Sequence, residues 1–128
     1  MSILRKIIFS SLIILLNFTQ LYAGQNLIAS YYSVESLHKD GQWNITKGKM
    51  SNGKEFKDAD MVCASWDYPL NCMLLVKNLS NGLSVVVKNS DRTARRFKGK
   101  RCDLSKGAFS RIANCKSGII PISIEVVK

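Results

Sequence analysis

The chain has 128 residues, the length of one domain, and a formal charge of +10. Such an excess of charge speaks of partners rather than of fold. Four cysteines stand against one histidine, His38, with no Cys-x-x-Cys pair, which excludes a zinc site as their purpose.

In chain order, Arg5 and Lys6 precede an uncharged apolar run, 7–18, and Leu21-Tyr22-Ala23 ends on a small residue. This pattern predicts a secretory signal peptide over 1–23 and a mature domain over 24–128. The run is short for a membrane span, which takes about 20 residues. No cysteine follows it, so neither a membrane nor a lipid anchor is expected on the mature chain. Without Arg5 and Lys6, 17 basic and 9 acidic residues remain, a charge near +8. For an exported chain the matching polyanions are cell-wall polymers and membrane surfaces rather than nucleic acid. The expected location is periplasmic or secreted.

Residues 26–33 alternate and are rich in β-formers, predicting a first strand with Tyr31 and Tyr32 on opposite faces. The polar stretch 34–56, with Gly41, Gly48 and Gly53, reads as loop; Trp43 within it is a core plug or a sugar platform. A short apolar run, 61–64, leads into a loop carrying Trp66 and Tyr68. Residues 73–77 and 83–88 form a hairpin about Asn81-Gly82, a dipeptide suited to positive φ. A basic connection follows, with Arg92, Arg95, Arg96, Lys98 and Lys100. It ends at Asp103, placed here before a helix over 104–113, whose stripe is Leu104, Ala108 and Ile112. Residues 119–127 make the last strand, with Ile122, Ile124 and Val126 on one face. Five or six short strands and one helix suggest a small barrel. A carboxylate at a strand–helix junction is either a helix cap or a group poised at a cleft.

An even cysteine count in an exported domain predicts two disulfides among Cys63, Cys72, Cys102 and Cys115, with three connectivities open. Cys102 and Cys115 flank a helix of about 15 Å and are not expected to pair.

These segments resemble the rare lipoprotein A (RlpA) family. Ala29-Ser30-Tyr31-Tyr32 resembles its opening strand, and Ser51-Asn52-Gly53-Lys54-Glu55-Phe56 its Ala-Asn-Gly-Glu-x-Phe segment. Residues 75–87 are similar to its central hairpin, Asp91-Arg92 to its Asp-Arg pair, and Asp103-Leu104-Ser105 to its Asp-Leu-Ser motif. The resemblance spans about 29–127. It implies a mainly β fold, a six-stranded double-psi β-barrel with one short helix after Asp103. It also implies a lytic transglycosylase that cuts peptidoglycan strands lacking stem peptides and leaves 1,6-anhydro-muramic ends. No cofactor is implied, and the domain is expected to be a monomer.

The resemblance carries the catalytic acid to Asp103, with Asp91 and Ser65 orienting it or the substrate. Ser65 stands where the family has a histidine, and serine cannot carry a proton charge near neutral pH. Tyr32, Arg92, Arg95, Arg96 and Lys98 are the expected substrate contacts. Barwin-like relatives imply Cys72–Cys115, which leaves Cys63–Cys102. The alternative function is that of an expansin: glycan binding or wall loosening in the same groove, without bond cleavage.

Overall fold

The structure, a computed structural model, describes residues 27–128. The expected signal peptide and the start of the mature domain lie outside the described residues. Six strands form a closed barrel: β1 (Leu27–Tyr32), β2 (Val62–Ala64), β3 (Met73–Asn78), β4 (Ser84–Asp91), β5 (Arg101–Ser105) and β6 (Ile120–Val126). Their order around it is β1-β5-β2-β4-β3-β6. β1 with β5 and β2 with β4 pair parallel, and the other four pairings are antiparallel. This is the mainly β, double-psi barrel that the resemblance implies. Closure leaves no strand edge unpaired.

Alternation fills the interior. Leu74 and Val76 on β3, Val87 on β4, Cys102 and Leu104 on β5, and Ile120 and Ile122 on β6 are buried together. Ile124 is half-buried and Val126 exposed; beyond Ile122, β6 is paired on its β3 side alone. Asn78 is also buried, and its Nδ2 donates to Ile112 O at 2.8 Å.

Three helices decorate the barrel: α1 (Val34–Lys39), α2 (Gln42–Thr46) and α3 (Lys106–Ile112). The first two replace the loop expected over 34–56. Ser33 starts α1 with a reciprocal capping box, its side chain accepting from Ser36 N while Ser36 Oγ accepts from Ser33 N. Val34 and Leu37, three apart, rest on a second small core of Met50, Phe56 and Val62. Two apolar residues in a polar stretch were too faint a period to read as a helix. Gly48, at φ +75°, ends this region; a Cβ there would lie 2.4 Å from the Trp43 ring. Trp43 is thus neither core plug nor open platform: it stacks on His38 at 4.4 Å and is half-buried.

The helix after Asp103 starts later than expected. Leu104 pairs with Cys63 and Tyr31, and Ser105 with Tyr32, so β5 carries the chain through the whole Asp-Leu-Ser motif. Ser105, fully buried, is the N-cap: its Oγ accepts from Ala108 N at 3.1 Å and donates to Asp60 O. Ser105→Ala is therefore expected to cost about 2 kcal/mol, one part for the cap and one for the second bond. A thermal melt should fall by roughly 10 °C. An unchanged melt would deny Ser105 this role.

All four cysteines are thiols in this structure. Cys63 and Cys102 are buried in the same core cluster, and Cys63 Sγ donates to Asn89 Oδ1 at 3.6 Å. The expected Cys72–Cys115 bridge is not formed in this structure. Cys72 precedes β3 at its Met73 end, whereas Cys115 follows Ile112, which is bound to Asn78 at the other end. Six strand residues span roughly 20 Å, and bridged Cα atoms lie within about 7 Å. Among the described residues no helix is long and apolar enough to cross a membrane.

Candidate functional site

Four strands place one row of residues across the barrel wall. Ser30 on β1 pairs with Asp103 on β5, Asp103 with Ala64 on β2, and Ala64 with Asp91 on β4. Two strand spacings separate the aspartates, about 10 Å between Cα atoms. A bulge sets the last member: the β2–β4 register shifts between Cys63 and Ala64, so that Asn89 and Asp91 are paired and Ser90 is skipped. Such a bulge re-aims a side chain.

Asp103, Ala64 and Asp91 of this row floor a cleft of about 520 Å³. One wall is α1 and α2 with Leu37, Thr46, Gly48 and Lys49; the other is Arg92, Thr93, Ala94 and Phe97 beside Arg101. Tyr31, Tyr32 and Phe56 supply the aromatic surface. The two tyrosines lean different ways. Tyr31 rests on Phe109 at 5.0 Å, and Tyr32 stacks on Phe56 at 4.4 Å. Tyr32 Oη is buried and has no hydrogen-bond partner in the protein. Burial, then the neighbouring Asp91, pushes that phenol far up.

Along β5, Arg101 and Asp103 share the cleft face while Cys102 and Leu104 face the core. Arg101 Nε donates to Asp103 Oδ1 at 2.5 Å, and its Nη2 to Oδ2 at 3.3 Å and to Ser30 Oγ at 3.2 Å. Burial raises the Asp103 carboxyl above the ordinary value of 3.8 and outweighs Arg101, which lowers it. A carboxyl held toward its protonated form is what an acid catalyst requires.

Asp91 does different work. Its Oδ1 accepts from Ser51 N at 3.0 Å, Ser51 Oγ at 2.8 Å and Arg92 N at 2.8 Å, tying the 51–56 turn to β4. Arg92 lines the cleft, but its Nη1 donates to Ser65 O and Tyr68 O, so it braces the 65–68 loop. Asn89, fully buried, supports the same loop through Tyr68 O and Pro69 O.

The structure thus brings Asp103, Asp91, Tyr32 and Arg92 together at the cleft. It does not bring Ser65 there. Ser65 is 0% exposed, and its Oγ accepts from Asp67 N, which closes the loop behind β2. Arg95, Arg96 and Lys98 are exposed and lie outside the cleft lining. Arg95 sits over Trp66 at 5.3 Å and Arg96 over Phe97 at 4.8 Å. Arg101 was missed as a site residue, as were Phe97 and the helical wall. Its signal was the i−2 spacing to Asp103, legible only once that stretch is read as strand. Among the described residues, no three His, Cys, Asp or Glu side chains are grouped to hold a metal ion.

Comparison with known proteins bears on this site. The profile of the family described as "Lytic transglycolase" matches residues 25–124. An uncharacterised protein of Synechocystis is 41% identical over 76 residues, 59% of this chain and 79% of that protein. The endolytic peptidoglycan transglycosylase RlpA of Campylobacter jejuni is 39% identical over 80 residues, 62% of this chain but 28% of that protein. A probable RlpA of Aquifex aeolicus is 32% identical over 80 residues, 62% of this chain and 35% of its own length. The chain therefore matches about a third or less of these two RlpA relatives. Among solved structures, the Streptomyces papain inhibitor superposes with a TM-score of 0.58 at 19% identity, covering 79% of this chain and 91% of that one. A Clavibacter michiganensis expansin variant in complex with cellohexaose gives 0.58 at 23% identity, covering 81% of this chain and 50% of that one. These two likenesses concern the fold.

Proposed function

The chain belongs to the lytic transglycolase family, and on that premise we propose that it cleaves peptidoglycan glycan strands by transglycosylation, with Asp103 as both acid and base. The observation that carries this reading is the half-buried Asp103 carboxyl, raised by burial, on the floor of a cleft of about 520 Å³. Asp103 gives its proton to the glycosidic oxygen as the C1–O bond breaks. The muramic C6 hydroxyl then closes on C1, and its proton returns to Asp103. One carboxyl serves both steps, and no water enters, so the second carboxylate of a hydrolase is dispensable. Asp91 holds the 51–56 turn and the Arg92 backbone, positioning the rim rather than exchanging protons. Tyr31 and Tyr32 offer ring surface to sugar.

Peptidoglycan lies outside the cytoplasm, so this reading places the protein in the periplasm or beyond, in accord with the leader expected over 1–23. The working unit is proposed to be a monomer. The buried Cys63 and Cys102 thiols are proposed to close a disulfide after export.

The test is incubation with purified glycan strands in water enriched in heavy oxygen. Mass spectrometry should find 1,6-anhydro-muramic ends without heavy oxygen. Heavy-oxygen reducing ends at the cut would mean hydrolysis. A second reading, expansin-like glycan binding without cleavage, is favoured by one observation: Asp103 is gripped at both oxygens by Arg101. Binding of strands with no new ends of either kind would select it.

A further inference from the structure

Arg101 occupies both carboxylate oxygens of Asp103, the group that the proposed chemistry needs free. A bidentate fork is among the strongest side-chain pairings, and a protonated Asp103 cannot keep both of its bonds. The guanidinium is also preorganised for release. It lies over the Phe97 ring at 4.5 Å and reaches Ser30 Oγ, so it can hold its place without Asp103. Its side chain is 27% exposed on the cleft side.

Among the described residues, Arg101 forms its ion pair with Asp103 and with no other acidic side chain at the cleft. Asp91 Oδ1 is taken by Ser51 and Arg92 N. Arg92 is committed to carbonyls at Ser65 and Tyr68. Asp40 and Lys49 belong to the opposite wall. Beside Asp103 are Arg101 on the cleft face of its own strand and the Tyr32 phenol of β1, which also feels Asp91 of β4, while the Cys102 thiol lies on the core face behind it. An anion that draws Arg101 away must therefore come with the ligand.

We propose that Arg101 is a positioning clamp that trades the Asp103 carboxylate for the lactyl carboxylate of a bound muramic acid unit. This rests on the peptidoglycan reading above. The muramic unit carries that carboxylate on an ether at O3, two ring carbons from the C1 whose bond is cut. The exchange conserves charge: one carboxylate replaces another on the guanidinium, and Asp103 is left among buried neighbours, free to take up a proton. A polymer of N-acetylglucosamine lacks the carboxylate and leaves the clamp shut.

The experiment follows the Asp103 carboxyl carbon by NMR in the full-length protein and measures binding by calorimetry. Three ligands are compared: glycan strands with free lactyl carboxylates, the same strands with those groups converted to methylamides, and chitohexaose. The free-carboxylate strands should bind measurably tighter than the methylamide strands, by less than the roughly tenfold of one whole charge-assisted fork, because the Arg101–Asp103 fork is given up in exchange. They alone should move the Asp103 titration to higher pH. Arg101→Met should erase that preference and raise the Asp103 titration without ligand. Arg101→Lys keeps the charge but not the fork; it should weaken the preference and serves if the Met variant fails to fold. An intact preference in either folded variant would overturn the clamp, as would an Asp103 titration that ignores the free carboxylate. If the preference and shift appear but wild type yields no anhydro ends, the clamp stands and the lytic reading falls.

Discussion

Asp103→Asn should reduce anhydro-end formation by about ten-thousandfold while the protein stays folded. General acid–base catalysis contributes roughly 10²–10⁴, and here one residue serves both steps. The fold should survive because Asp103 caps nothing: Ser105 holds Ala108 N, and Asn retains an oxygen for Arg101 Nε. Unfolding of the variant would make Asp103 structural. Cleavage that persists would move the acid elsewhere.

The same residue fixes a pH signature. Its carboxyl lies above 3.8 in the folded protein because burial dominates. The folded state therefore binds this proton more tightly than the unfolded chain. The stability it contributes is complete below the unfolded value and fades as pH rises through the folded value. Wild type should lose stability relative to Asp103→Asn over that window and run parallel above it. Cleavage should fall over the same rise, as the acid form is lost. Urea titrations of both proteins between pH 3 and 7 would check the first statement. A wild-type advantage that grows with pH would contradict it.

What the sequence conveyed, and what it withheld, divides along physical lines. The barrel was legible because period-two alternation and the Asn81-Gly82 turn are local signals, and the motif order added the connectivity. Asp103 was legible through its motif. Its setting was not. A strand residue and an N-cap precede a helix equally well, and only the parallel pairing of β5 with β1 decides that Leu104 and Ser105 are strand. Arg101 stood in the basic approach to Asp103 and was passed over there, although i−2 in a strand means the same face. Ser65 shows the converse failure. Its motif position suggested the cleft, but backbone pairing of Ser65 N with Asp91 O turns the residue behind β2, a long-range fact with no local trace. The helical wall escaped because α1 rests on only Val34 and Leu37, while its capping box uses two serines rather than the usual acidic partner.

Phe109→Ala should bring the largest loss of stability, about 3–5 kcal/mol. Phe109 is fully buried in the cluster that joins α3 to the barrel, among Leu74, Leu104 and Ile122. Small domains hold roughly 5–15 kcal/mol in all, so the variant should approach half-unfolding well before wild type in urea. Phe109→Leu keeps most of the volume and should cost less than half as much. The effect should also reach the cleft. Phe109 supports Tyr31 at 5.0 Å, tilted by 48°, and Tyr31 lines the cleft on its other side. Loss of the ring leaves Tyr31 without its backing, so Phe109→Ala should weaken glycan binding even under conditions where it is fully folded. Binding equal to wild type in the folded variant would separate the core from the cleft and confine Phe109 to stability.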